Sequence, residues 1–328
     1  MNDSFENRPA ALHSAHGTNT VAAVLAAYNG KRFIRRALGS VFAQTHPPAE
    51  VIVVEDGTND GTRELISAEF PTVRYVWQPN GGPPAAYNAG FALATSEYIA
   101  CLDQDDAWLP HKLERQLGAF AQHPGASIVL CQAIGRDPNR PPGSVRDLTF
   151  RDLFSRRACE WTDWSMSGWM LRREFFTSVI ERFDTGALSF MDYEALLRVC
   201  GLGYGVLVLR EELYERDMHV TSFGHSPAGQ RVEARTLPAV MRRYAPGGGD
   251  WRGTVLDAKE YATSLQLQLR RYIGMVLPLG DDPHAREMIL EASALEGERV
   301  DVNLEMRFAH RFPSIYLAVR RALLRLRA

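Results

Sequence analysis

The sequence is short of the features that mark the specialised classes of protein. It has four cysteines in 328 residues, at 101, 131, 159 and 200, and no two form a C-x-x-C pair. Paired zinc-ligand spacing and a disulfide framework are both absent. Cys101, Cys131 and Cys200 sit in apolar surroundings, as small buried hydrophobes do. Reduced thiols and a cytoplasmic location are the simplest expectation. No apolar run approaches the roughly 18 residues needed to cross a bilayer. The longest, Val21 to Tyr28, has the length of a strand. Met1 to Thr20 is polar and lacks the apolar segment of a secretory signal. A basic excess is missing too: 37 Lys and Arg against 39 Asp and Glu give a net charge of −2. That argues against a generic nucleic-acid binder, and no nucleic-acid partner is expected. Lysine is scarce, with only Lys31, Lys112 and Lys259, a bias of composition that carries no chemistry.

What is present is an ordinary globular balance, 45% hydrophobic and 23% charged, in a chain long enough to bury a core without staples. Residues 1–19 are expected to form a disordered tail. Val21 to Ala27 and Val51 to Val54 are short apolar runs, as buried parallel strands are, and Val73 to Trp77 and Tyr98 to Leu102 read as a third and a fourth strand. Between them Lys31 to Gln44, Thr62 to Phe70 and Ala85 to Ala94 have helical spacing, and Leu109 to Ala121 follows as another helix. This alternation predicts an α/β fold with a mostly parallel sheet and helices on both faces. The pattern loosens after Ile128 to Gln132, and a loop is expected at 137–143. Tryptophans cluster at 161, 164 and 169; a helix is expected at 190–200 and a strand at 205–209. From about Ala228 the sequence turns to long helical stretches, broken at 246–249 and 277–283.

In such sheets ligands bind beyond the carboxyl ends of the strands. Three polar loops follow strands directly and so converge on one edge: Tyr28-Asn29, Glu55-Asp56 and Asp103 to Asp106. Asp103, Asp105 and Asp106 place three carboxylates in four positions, a repulsion that a divalent cation relieves. In an extended segment Asp103 and Asp105 point the same way. Hard Mg²⁺ or Mn²⁺ prefers such oxygen ligands and also takes phosphate oxygens. The plainer alternative is that Asp105 or Asp106 caps the helix entering at Leu109. Glu55 and Asp56, at a strand's carboxyl end, can accept from the N–H of a nucleobase. Asp60-Gly61-Thr62 reads as a turn and helix start.

Together these stretches resemble the inverting glycosyltransferases of family 2, which have the GT-A (nucleotide-diphospho-sugar transferase) fold. The matching pieces are Ala27-Tyr28-Asn29-Gly30 with Phe33-Ile34, then Val53 to Thr62, then Asn80-Gly81-Gly82 with Asn88-Ala89-Gly90, and finally Tyr98 to Glu114. The last holds Asp103-Gln104-Asp105-Asp106 and is similar to the family's D-x-D metal motif with its following helix. The resemblance covers about residues 20–225, leaving 226–328 as a helical C-terminal extension.

The resemblance implies that Ala27 and Tyr28 line the base pocket, with Glu55 where the family has an aspartate reading the base, commonly uracil. Asp56, Asn88 and Gln104 are implied in the nucleotide-sugar site as well. Asp103 would lie near the ribose or metal, Asp105 would ligate Mg²⁺ or Mn²⁺, and Asp106 is the alternative ligand. Tyr87 stands where many relatives have an arginine. Met191-Asp192 stands where the family has a Glu-Asp pair, so Asp192 is the implied general base, with Glu194 as a weaker alternative. An aspartate near pKa 4 is far from a sugar hydroxyl, so proton transfer must come late, as the hydroxyl attacks. The alternative is that Asp192 or Ser189 caps its helix. Arg216 and His219 match an Arg-x-x-His element near the donor diphosphate, with His219 a candidate metal ligand or phosphate contact; Thr221 and Ser222 follow it.

The reading is therefore transfer of a sugar from a nucleotide-sugar, UDP-sugar favoured, to a saccharide or glycolipid acceptor. Trp164 and Trp169 are a candidate sugar-stacking face or simply core. The alternative is a relative that binds nucleotide as a scaffold without turnover, which Met191 and Tyr87 would fit. A nucleotidyltransferase would show a glycine-rich loop after the first strand, and an oxidoreductase would show G-x-G-x-x-G there; neither is present. Gly201 to Gly205 follows a helix and precedes a strand, the reverse order. Lys31, Arg32, Arg35 and Arg36 read as a solvated helix face. Ile315 to Arg327 is amphipathic, so 311–328 is a candidate peripheral contact with the inner face of the cell membrane, or packs on protein.

Overall fold

The computed structural model describes residues 19–135, 144–155, 162, 164–187, 190–217, 227–247, 253–276 and 283–296. The expected tail before Asn19, the loop at 137–143, the breaks at 248–249 and 277–282, and the amphipathic stretch at 315–327 lie outside these residues. Trp161, Ser189, His219, Thr221 and Ser222 do too. The chain divides into two compact units, 1–217 and 218–328.

In the first unit β1 (Val21–Ala27), β2 (Glu50–Asp56), β3 (Arg74–Gln78) and β4 (Tyr98–Asp103) pair in parallel, with α1 (Ile34–Phe42), α2 (Thr62–Glu69) and α3 (Pro83–Leu93) between them. The strand runs and helical periodicities fall where the sequence places them. Then come β5 (Ala107–Trp108), α4 (Lys112–Gln122), β6 (Ala126–Ala133), β7 (Val145–Asp147), α5 (Phe150–Phe154) and β8 (Trp169–Arg172). The short helix α6 (Arg173–Phe175) continues as a π-helical turn at Phe176–Ile180, followed by α7 (Met191–Gly201) and β9 (Gly205–Glu215). The sheet order is β3-β2-β1-β4-β8-β6-β9-β5, with β7 beside β9.

β8 runs antiparallel to both β4 and β6. All four of its residues are buried, so no alternation marks it in the sequence. It ends in Arg172, whose guanidinium donates to the Ala126 carbonyl (3.1 Å) and the Tyr98 hydroxyl (3.1 Å). Those partners are what let a charged side chain end a buried strand.

The odd-numbered side chains of β1, from Val21 to Ala27, form one core with Ile34, Ala37, Leu38 and Val41 of α1. On the opposite face α3 lies close against the strands at Gly90. A Cβ there would sit inside the contact distance of Val24 Cγ1 and 3.4 Å from Val54 Cγ2. Gly90→Ala is therefore expected to cost about 1–3 kcal/mol by overpacking. A urea midpoint equal to the parent's would show that α3 can shift freely.

In the second unit α8 (Pro227–Arg242), α9 (Ala258–Val276) and α10 (Pro283–Glu296) bury Leu237, Met241, Leu269, Ile273, Met288 and Ile289. Arg242 and Glu291 form an ion pair between α8 and α10.

Candidate functional site

Because β1 to β4 are parallel, their carboxyl ends lie along one edge. Ala27, Glu55 and Trp77 stand side by side across β1, β2 and β3, and Asp103 stands opposite Ala26. The loop after β2 can turn there because Gly57 has φ of 86°. A Cβ on Gly57 would come to 2.5 Å from the Asn80 nitrogen, so both the left-handed backbone and the close approach require glycine.

The turn after β4 carries the three aspartates. The Asp106 N–H donates to the Asp103 carbonyl (3.1 Å), which closes the turn. β5 intervenes, and α4 begins at Lys112 with His111 as its N-cap, so neither Asp105 nor Asp106 caps that helix. Asp103 is half-buried. Its Oδ1 accepts from the Tyr87 hydroxyl (2.8 Å), and its Oδ2 lies 3.3 Å from Ser165 Oγ. Burial, and then the neighbouring Asp105 charge, raise its pKa above the ordinary carboxylate value; Tyr87 and Arg216 oppose that rise. Asp106 is buried. Its Oδ2 accepts from Ser167 Oγ (2.5 Å) and its Oδ1 from the Asp217 N–H (3.0 Å). Burial, then Asp103, push its pKa up to about 8. Asp106 thus ties the end of β9 to the turn. Asp105 is half-buried, and its carbonyl accepts from Arg36 Nη1 (3.3 Å).

No group of three His, Cys, Asp or Glu able to hold a metal ion occurs among the described residues. The donor set still fits Mg²⁺ or Mn²⁺. These ions take one or two carboxylates and complete their shell with waters and substrate phosphates. Asp103 and Asp105 are hard oxygen donors at the carboxyl end of β4 and in the turn that follows it.

On the β1 side a reciprocal pair binds Gln104 to the Tyr28 backbone. The Tyr28 N–H donates to Gln104 Oε1 (2.8 Å), and Gln104 Nε2 donates to the Tyr28 carbonyl (2.9 Å). Gln104 therefore joins the aspartate turn to the first loop. The Tyr28 ring is left 51% exposed and Trp77 52% exposed, while Ala27 is buried. Glu55 is buried and accepts from Thr58 Oγ1 (2.5 Å) and from the Tyr75 hydroxyl. Burial, then Glu55, raise the Tyr75 pKa, so its phenol remains a donor. A carboxylate has about four acceptor positions, so these two bonds leave capacity for a base N–H.

Asp56 and Asn88 have structural partners. Asp56 accepts from Gln78 Nε2 (2.7 Å) and the N–H groups of Gly81 (2.9 Å) and Gly82 (2.7 Å), holding the loop before α3. Asn88 clasps the Phe183 backbone, donating to its carbonyl (2.9 Å) and accepting from its N–H (2.7 Å). Asp60 receives the Thr62 N–H (3.0 Å) and the Lys31 N–H (3.0 Å), as a turn residue should.

Asp192 lies in the first turn of α7, half-buried. Phe190 is the N-cap, so Asp192 does not cap this helix; its Oδ1 accepts the Tyr193 N–H (2.6 Å). Glu194 is buried and paired with Arg198 at 3.2 Å. Arg198 in turn holds the Ile180 (2.8 Å) and Arg182 (3.0 Å) carbonyls, which suits Glu194 to a structural role. Trp169 is fully buried and belongs to the core, whereas Trp164 is half-buried against Tyr193.

Sequence reasoning missed the groups that hold the turn from elsewhere. Tyr87 stands out only as a departure from the family's arginine. Arg36 reads as a solvated helix residue, yet it donates to Glu215 (2.6 Å) as well as to the Asp105 carbonyl, with Asp217 at 3.6 Å. Ser165 and Ser167 carry no local signal at all.

The family model described as glycosyl transferase family 2 matches residues 22–197, more than half of the chain. A teichuronic acid biosynthesis glycosyltransferase of Bacillus subtilis, so named provisionally, is 36% identical over 102 residues, 30% of this chain and 40% of that protein. The chain spans about a third of the length of several other bacterial relatives it matches. Among solved structures, Staphylococcus aureus TarS (residues 1–349, with UDP) superposes with a TM-score of 0.58 at 15% identity, over 91% of this chain and 88% of that one. The mannosyltransferase PcManGT of Pyrobaculum calidifontis, with GDP-Man and Mn²⁺, gives 0.56 at 18% identity, over 96% and 91%. At such identities the likeness establishes the fold, which is GT-A.

Proposed function

Since the chain belongs to glycosyl transferase family 2, we propose that it transfers a sugar, with inversion, from a nucleotide-sugar to an acceptor hydroxyl. A UDP-sugar is the favoured donor, and the product is a surface polysaccharide or glycolipid. The catalytic domain is placed at about 20–225, with 226–328 as a helical extension. One observation supports the reading above all: the aspartate turn, the Tyr28 loop and Glu55 stand along a single strand edge. The relatives agree in kind. TarS is solved with UDP, PcManGT with GDP-Man and Mn²⁺, and the Bacillus relative is named for teichuronic acid biosynthesis.

In the proposed reaction Tyr28 and Glu55 hold the base. Asp105, with Asp103 beside it, would hold Mg²⁺ or Mn²⁺, which when bound offsets the charge of the departing diphosphate. Arg216 is near enough to Asp103 to act on its charge and would meet a phosphate oxygen of the donor. The acceptor oxygen forms its bond to the anomeric carbon as the bond to the diphosphate oxygen breaks, and the electron pair leaves with the diphosphate. The hydroxyl proton passes late to the Asp192 carboxylate.

No helix among the described residues is long and apolar enough to cross a membrane. We place the protein in the cytoplasm; 311–328, outside the described residues, is a candidate for contact with the inner membrane face or for packing on protein.

Thermal stabilisation by UDP, GDP, dTDP and CMP, each with and without Mn²⁺, tests the reading. A ligand that binds only the folded chain at about 100 times its dissociation constant adds about 2.7 kcal/mol. UDP with Mn²⁺ is expected to give the largest rise, and Asp105→Asn is expected to abolish its metal-dependent part. No rise with any nucleotide would overturn the donor site.

A further inference from the structure

We propose that Tyr87 is a positioning residue for the metal turn, aiming the Asp103 carboxylate at the cation, with Ser165 as its counterpart on the other oxygen. The inference rests on the reading of the site given above, and it assigns a task to two side chains outside the motif.

The phenol is held by packing. Its ring is 0% exposed, set edge-on to Phe91 (6.1 Å between centroids) and Phe183 (6.4 Å). Phe183 is itself clasped by Asn88, one residue along α3 from Tyr87. The hydroxyl therefore has a determined place, 2.8 Å from Asp103 Oδ1. A two-state choice of carboxylate orientation becomes one.

The second oxygen is settled by distance. Ser167 Oγ lies 2.5 Å from Asp106 Oδ2 and 3.4 Å from Asp103 Oδ2, so it is engaged by Asp106. The same oxygen accepts the Asp103 N–H at 3.0 Å, which anchors the backbone of the turn. Asp103 Oδ2 is thus left to Ser165, at 3.3 Å. Each Asp103 oxygen has one neutral donor and one further acceptor position. A cation ligand needs that arrangement: it is oriented, yet its charge is not already neutralised by an arginine in contact. Partners of this kind around a metal ligand typically change metal affinity about 10–100-fold.

Tyr87→Phe removes one oxygen and keeps the ring. The experiment is a titration of the full chain with Mn²⁺, free ion read by electron paramagnetic resonance, alongside the melting temperature and the Mn²⁺ dependence of transfer. The Mn²⁺ dissociation constant is expected to rise about 10-fold or more, with saturating Mn²⁺ restoring kcat. A purely structural tyrosine would instead lower the melting temperature and resist rescue by excess metal. Ser165→Ala, which leaves the aromatic packing intact, is expected to shift the constant in the same direction if Tyr87→Phe does not fold. Parental Mn²⁺ affinity in the variants overturns the positioning role alone. A parent chain that binds no Mn²⁺, or binds it equally well as Asp105→Asn, overturns the metal-site reading and this inference with it.

Discussion

Asp192→Asn is expected to slow sugar transfer by about 10²–10⁴-fold, the range general-base removal produces, while the rise in melting temperature with UDP and Mn²⁺ stays as in the parent. The amide keeps the size and can still accept the Tyr193 N–H that Asp192 receives at 2.6 Å, so α7 should start as before. What is lost is the ability to take a proton. The loss should fall on kcat, because proton transfer belongs to the transition state and not to donor binding. Glu194→Gln provides the contrast. Its carboxylate is buried against Arg198, and the substitution should lower stability first, with kcat per folded molecule retained. Unchanged turnover in Asp192→Asn would remove Asp192 as the base. If the parent binds UDP yet transfers no sugar to any hydroxyl, the nucleotide-binding scaffold becomes the better account.

The second large effect concerns Lys112, which is fully buried in α4. Its ammonium lies 4.3 Å from the Trp108 ring centroid, donates to Gln116 Oε1 (2.8 Å) and is 3.5 Å from the Trp169 carbonyl. Among the described residues no carboxylate pairs with it. Burial lowers its pKa from 10.5 to about 8, opposed by Cys131 and Cys101. Between those two values the unfolded chain holds the proton that the folded chain has released. Stability therefore rises with pH across about 8 to 10.5, and the full cost of the charge is present below it. At 1.36 kcal/mol per pKa unit, the parent should gain about 3 kcal/mol over that window. Lys112→Met has no such proton to lose and should lack the gain. Cys101, whose thiol pKa burial pushes well above 9.0 and Lys112 partly lowers, contributes with the opposite sign in both proteins. Urea midpoints of the two proteins at pH 7 and pH 10 make the comparison, and parallel pH profiles would contradict it.

Much of this was legible in the chain. Apolar runs of strand length, separated by helical periodicities, specify β1, β2 and β4, because strands buried on both faces have little choice of composition; β3 lies at the sheet edge with none of its residues buried. The polar residues at the ends of three of those runs then have to share an edge. β5, β7 and β8 were not legible. The first two have two and three residues, too few for a period, and the third is buried throughout and ends in an arginine.

The same division runs through the site. Residue types and their order determined that an acidic turn, the Glu55 carboxylate and an aromatic loop meet at one edge, since parallel pairing brings strand ends together whatever the loops contain. Only the tertiary structure decided what each carboxylate does there. Asp106 turns inward to Ser167 and Asp217, Asp56 holds a loop, and Asp103 is aimed by Tyr87 and Ser165. Those partners lie between 16 and 111 positions away along the chain. Local periodicity reports which face a side chain takes, but a hydrogen bond depends on which distant group the packing brings within about 3 Å.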